Sequence, residues 1–130
     1  EPKAIKTYEK LKGVKVRNGG VFVSGLLADS PDGLPPEGLI EVKSVIKSIH
    51  EKNIKRNKVD PSYSKQVQFH IWVTQKPWCD FISYCPEHEN PLHIVRVYRD
   101  DAIIEEMREC IIEFNKLVNM FVNALTLKKK

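Results

Sequence analysis

An aspartate in a turn, Asp32 of Pro31-Asp32-Gly33, stands eight residues ahead of an acid-x-base triplet, Glu41-Val42-Lys43. On an extended segment alternate side chains share a face, so Glu41 and Lys43 point one way while Ile40 and Val42 pack behind. Proline fixes the entry to the turn and glycine permits a tight bend, which can direct the Asp32 carboxylate toward the same face. Two carboxylates beside a lysine suit a hard divalent cation such as Mg²⁺, which prefers oxygen, keeps several waters, and is held by one or two carboxylates plus a substrate phosphate. The lysine then orients or deprotonates the attacking water and steadies charge developing on the phosphate.

The elements that must position these groups are legible in turn. Residues 1–12 predict a helix, with Pro2 near its start, Ala4, Ile5, Tyr8 and Leu11 at helical spacing, and Gly13 as its stop. Val14 to Arg17 and Val21 to Ser24 predict two strands of a hairpin turning at Asn18-Gly19-Gly20. Leu26 to Ser30 leads into the Asp32 turn, and Gly38 to Ser44 is the strand carrying Glu41 and Lys43. From Val45 to Lys58 the chain is basic, with Lys47, Lys52, Lys55, Arg56 and Lys58, and Ile46 and Ile49 are expected to anchor a short helix there. Such a segment beside a phosphate site would track a nucleic-acid backbone.

Asp60 and Pro61 are an N-cap and a first helical residue. Tyr63, Val67, Phe69, Ile71, Trp72 and Val73 supply the buried surface of that helix, and Gln66 and His70, four apart, share a face. Trp78 to Tyr84 and Leu92 to Arg99 predict further strands. Asp100 caps a long helix whose stripe of Ile103, Met107, Cys110, Ile111, Phe114, Leu117, Val118, Phe121 and Leu125 reads as core-packing or subunit-facing.

Composition bounds the rest. In 130 residues, 42% apolar and 29% charged predict one globular domain with a real core. No apolar run approaches the roughly 20 residues of a membrane span and no signal-peptide pattern opens the chain, so the expected setting is cytoplasmic or nuclear, with no membrane partner. A net charge of +4 is compatible with a polyanionic partner. Three cysteines form no even framework and are expected to stay reduced. Cys85-x-x-His88 with Cys79 and His93 lacks the paired spacing of a zinc site.

At Pro31-Asp32 and Glu41-x-Lys43 the chain resembles the PD-(D/E)xK nuclease signature, and SPDGL followed by GLIEVK is similar to the version found in the phage lambda exonuclease and YqaJ-type viral recombinase family. Glu1, Ala4, Tyr8 and Glu9 match that family's E-x-x-A-x-x-x-(F/Y)-E helix, and YSKQVQFHIWVT looks like its Y-x-x-Q-V-Q-x-x-x-W-V-T segment. The resemblance covers nearly all of the chain. It implies an α/β, restriction-endonuclease-like fold, a mixed central sheet flanked by helices. It also implies a Mg²⁺-dependent deoxyribonuclease, with Mn²⁺ able to substitute.

By the same resemblance, Asp32 and Glu41 bind the metal with the backbone carbonyl of Val42, and Lys43 assists the attacking water. Glu1 and Gln66 complete the catalytic set, and Ser30 and Gln66 contact DNA. His70 is not expected to be the general base, since the metal and Lys43 already offer a route to activated water. The implied activity is 5′-to-3′ digestion of linear duplex DNA from its ends, in recombination or double-strand-break repair. A homotrimeric ring and a single-strand annealing recombinase partner are implied as well. Relatives carry further helices upstream of the position of Glu1, so the expectation is a single nuclease domain over residues 1–130 without them. Because the motif reports phosphodiester chemistry and not DNA topology, a structure-specific endonuclease and a catalytically silent DNA-binding scaffold stay open as alternatives.

Overall fold

The computed structural model of the chain describes residues 2–25 and 27–128. Its elements run α1 (Pro2–Lys12), β1 (Phe22–Ser24), β2 (Leu27–Asp29), β3 (Leu39–Ser44), α2 (Lys47–Arg56), α3 (Pro61–Thr74), β4 (Trp78–Tyr84), β5 (Leu92–Tyr98) and α4 (Asp101–Lys128). α1 through β5 form one compact unit and α4 a second.

The first unit is organised by a three-stranded mixed sheet in the order β3-β4-β5. β3 runs parallel to β4, with Glu41 opposite Phe81 and Lys43 opposite Ser83, and β5 returns antiparallel. A parallel pair needs a crossover, which α2 and α3 supply. Period-two alternation divides the core between the sheet's faces. On one face Ile40, Val42, Ile82 and Tyr84 pack with Ala4 and Tyr8 of α1. On the other, Leu39, Cys79 and Phe81 pack with Val67 and Ile71 of α3. This is the predicted α/β architecture, a sheet flanked by helices, and it sends Glu41 and Lys43 to the α3 side.

Helix ends follow local chemistry. The Asp60 carboxylate accepts from the Ser62 amide at 3.0 Å ahead of Pro61, and Asp100 accepts from the amides of Ala102 and Ile103. Gly13 ends α1 at φ 65°.

Two expectations are corrected. Asn18-Gly19-Gly20 is not a hairpin turn: β1 pairs with β2 instead, turning at Gly25 (φ 60°), and Arg17 bridges to Leu34. Gly19 serves close approach, since a Cβ there would lie 1.8 Å from the Pro31 carbonyl oxygen. Ile46 and Ile49 do not anchor α2, being exposed, whereas His50 is fully buried, its ring bonded to Ser83 Oγ (2.8 Å) and the Asn90 carbonyl (2.7 Å). In α4 the residues Phe114, Leu117, Val118, Phe121 and Leu125 are exposed, so of the two readings of that stripe, core-packing or subunit-facing, the first does not hold for them. Among the described residues no helix is long and apolar enough to cross a membrane.

Candidate active site

β3 has β4 on one side only, and its other edge is occupied by the turn that carries Asp32. Ile40 donates to the Gly33 carbonyl at 3.0 Å and accepts from the Asp32 amide at 3.1 Å. Two residues on, the Val42 amide meets a side chain instead: Asp32 Oδ2 accepts it at 2.8 Å. The Asp32 carboxylate is thereby fixed against the strand. Since the N–H and C=O of a strand residue point to the same side, the Val42 carbonyl opens onto the edge where Asp32 sits.

Glu41 and Lys43 share the α3 face. Lys43 Nζ lies 3.1 Å from Glu41 Oε1 and 4.7 Å from the centre of the Tyr63 ring, at the start of α3. A long flexible amine is thus pinned between a carboxylate and an aromatic face. Glu41 is 7% exposed, unusual for a carboxylate and tolerable only with partners.

Its second partner is His70. Nδ1 donates to Asp29 Oδ1 at 2.5 Å, and Nε2 lies 3.2 Å from Glu41 Oε2. The latter contact is an ion pair, and Asp29 Oδ2, the carboxylate oxygen turned away from the ring, is buried with no hydrogen-bond partner among the described residues. Burial pushes the Glu41 carboxyl up, but His70 and then Lys43 outweigh it and hold it below its ordinary value. Burial likewise pushes the His70 imidazolium down, yet Asp29 and then Glu41 raise its pKa to about 9.

A pH dependence follows for the metal-free protein. With the folded pKa above the ordinary 6.5, His70 contributes stability that is complete below pH 6.5 and is lost as pH rises through about 9. The contribution is roughly 3 kcal/mol. Urea denaturation at pH 6.5 and 9.5 should show that loss in the parent and not in His70→Phe; equal slopes for the two would contradict the linkage.

The remaining predicted residues fall as follows. Gln66 is exposed on α3, three residues after Tyr63 and four before His70, hence on the helical face that meets Lys43 and Glu41. Ser30 is exposed and its hydroxyl donates to the Gly20 carbonyl at 2.9 Å. Glu1 lies outside the described residues. The buried Asp29 and His70 pairing was not expected from the sequence: only the fold brings residues 41 positions apart together.

The donor set fits Mg²⁺ or Mn²⁺. Asp32, Glu41 and the Val42 carbonyl offer oxygen alone. Among the described residues no three His, Cys, Asp or Glu side chains form a metal cage.

Comparison with known proteins bears on the family and the fold. A sequence profile of the YqaJ-like viral recombinase domain matches residues 1–77. The fold is similar to the crystal structure of an alkaline exonuclease, LHK-Exo, from Laribacter hongkongensis, with TM-score 0.87 and 32% identity, covering 98% of this chain and 69% of that one. The dAMP complex of LHK-Exo superposes with TM-score 0.86 and 32% identity, over 98% of this chain and 68% of that one. A phage-related exonuclease from Haemophilus somnus 129PT, 15% identical, shares the fold with TM-score 0.58 over 83% of this chain and 62% of its own. No curated protein matches by sequence. With 59% of its length in the domain profile and an alkaline exonuclease as a 32% identical structural neighbour, the chain belongs to the YqaJ-like viral recombinase domain family, an exonuclease-type nuclease family.

Proposed function

We propose that the chain hydrolyses DNA phosphodiester bonds with the help of a divalent cation, as a 5′-to-3′ exonuclease acting on the ends of linear duplex DNA in recombination or double-strand-break repair. The observation that carries this reading is the convergence on one edge strand of Asp32, fixed by the Val42 amide, with Glu41 and the pinned Lys43.

Asp32, Glu41 and the Val42 carbonyl would hold Mg²⁺ or Mn²⁺. When bound, the cation supplies Lewis-acid polarisation of the phosphate and makes water a better nucleophile at neutral pH. Lys43 places an ammonium beside the same phosphate, where it orients the attacking water and offsets charge on the departing oxygens. Gln66, exposed between Tyr63 and His70 along α3, contacts the DNA near the scissile bond. The exposed Lys47, Lys52, Lys55 and Lys58 neutralise backbone phosphates. Exposed apolar residues of α4, Phe114, Leu117 and Phe121 among them, support subunit contact in a homotrimer. A single-strand annealing recombinase is the proposed recipient of the resected strand.

End-labelled linear duplex and closed circular DNA separate this reading from its neighbours. Mg²⁺ or Mn²⁺ should support degradation of the linear substrate only, and Ca²⁺ should support neither, because the reaction needs restrictive cation geometry. Equal cutting of circles would replace the exonuclease with an endonuclease. No cleavage of either by folded, DNA-bound protein would leave a scaffold.

A further inference from the structure

Resting on the reading of Asp32 and Glu41 as the place of phosphodiester cleavage, we propose that Lys6 and Arg17 form a phosphate clamp beside Asp32, which holds the DNA at a linkage close to the one being cut.

Three observations converge on it. The first is a cavity of about 370 Å³, lined by Ile5 and Val16, by Lys6, Arg17 and Asn18, and by Asp32. Its volume is that of a small ligand pocket. Glu41 and Lys43 leave β3 on the α3 side, whereas the cavity lies on the side of α1, whose Ala4 and Tyr8 pack on Ile40 and Val42. Asp32, at the outer edge of β3, borders both. A strand crossing that edge therefore meets the reactive carboxylates and the cavity in succession. The second observation is charge. Between Pro2 and Gly20 the chain carries Lys3, Lys6, Lys10, Lys12, Lys15 and Arg17 against one acid, Glu9. Lys3, Lys6 and Lys10, all exposed, follow steps of three and four and share a face of α1. Glu9 also borders the cavity, but its Oε2 accepts from the Val16 amide at 2.9 Å. Neither Lys6 nor Arg17 has an ion-pair partner among the described residues.

The third is a fixed frame. Arg17 and Leu34 exchange both backbone hydrogen bonds, at 2.9 and 2.8 Å, and Gly33 lies so close to Val16 that a Cβ there would stand 2.6 Å from Val16 Cγ1. Glu9 ties α1 to the same segment through the Val16 amide. Lys6 and Arg17 thus rise from backbones already fastened to the Asp32 turn, so binding orders side chains and not the chain, which lowers its entropic cost. A guanidinium forks onto two phosphate oxygens and an ammonium adds a point charge, so the pair suits one phosphodiester linkage. No bond is made or broken at the clamp. Its effect is to set where the strand lies.

The test is binding of the full chain to hairpin duplexes with one open end, in which a single neutral methylphosphonate replaces the phosphate at successive linkages of either strand. Fluorescence anisotropy with Ca²⁺ in place of Mg²⁺ reads affinity while the strands stay intact. The parent should lose about 10-fold at one linkage or two adjacent ones and little elsewhere. Lys6→Ala and Arg17→Ala, each at an exposed side chain that the fold does not need, should bind the unmodified hairpin about 10-fold more weakly and no longer respond at that linkage. A parent indifferent to every linkage, or a parental response that survives in either variant, overturns the clamp and leaves the two residues as part of a diffuse basic surface. The nuclease reading is judged separately by cleavage of unmodified duplex with Mg²⁺: a linkage-specific response without cleavage upholds the clamp while rejecting the nuclease, and cleavage without such a response rejects the clamp alone.

Discussion

Lys43→Ala should retain divalent-cation binding within a few-fold of the parent and lose turnover by about 10²–10⁴. The expectation rests on where Nζ sits. It is 3.1 Å from Glu41 Oε1 and 4.7 Å from the centre of the Tyr63 ring, so in the proposed mechanism it would contribute a charge to the reacting phosphate without being a cation ligand. Removing it takes one positive charge from beside the carboxylates, which if anything favours cation binding. Glu41→Gln should lose both binding and turnover. Asp32→Asn should do the same while keeping the fold, since an amide oxygen can still accept from the Val42 amide. Single-turnover cleavage of end-labelled duplex gives the rate and calorimetric titration the affinity. Parental rates in all three variants would remove these residues from the chemistry.

The largest expected effect on stability lies on the opposite face of the sheet. Asp80 of β4 is fully buried and accepts from Tyr8 Oη at 2.6 Å, Arg96 Nε at 2.8 Å and Arg96 Nη2 at 3.0 Å. Arg96 also lies 3.6 Å over the Trp78 ring and is partly exposed, so it can turn to water if its carboxylate is lost. Tyr8 cannot. Its phenol is 1% exposed and held protonated by burial first and the Asp80 carboxylate next. Asp80→Ala therefore leaves a buried hydroxyl unsatisfied beside a new void, and should cost roughly 3 kcal/mol. Asp80→Asn, which can still accept from the phenol, should cost less. Urea denaturation measures both. Activity per folded molecule should be unchanged, because Asp80 faces α1 while Glu41 faces α3.

How much of this was legible in the sequence depended on the range of the interaction. The alternation of Ile40 and Val42 against Glu41 and Lys43, the Asp60-Pro61 start of α3 and the Asp100 cap are local, and local chemistry decided them. Asn18-Gly19-Gly20 misled because glycine has two uses. Here Gly19 makes room for the Pro31 carbonyl, a residue twelve positions away, and the true turn falls at Gly25. Ile46 and Ile49 misled because a solvated helix can be tethered by one buried polar ring, His50, whose partners Ser83 of β4 and Asn90 of the following connection come much later in the chain. The pairing of His70 with Asp29 is hidden from the sequence for the same reason. Nothing near it in sequence announces Asp29, and without that carboxylate it reads as one more polar residue on a half-buried helix.

The edge position of β3 has a further consequence for how the site comes into being. Every side chain that converges there, Asp29, Asp32, Glu41, Lys43, Tyr63 and His70, precedes residue 75, and the domain profile itself stops at residue 77. Yet β3 is hydrogen-bonded along its length to β4, whose Phe81 faces Glu41 from forty positions downstream. During synthesis on the ribosome the whole set of reactive groups would emerge before the strand that gives it a register. A nascent chain ending at residue 77 would hold β3 only by Asp32, Gly33 and the α1 and α3 faces, with its inner edge open to any passing strand. Order in the site is thus expected to arrive late and all at once, when β4 docks.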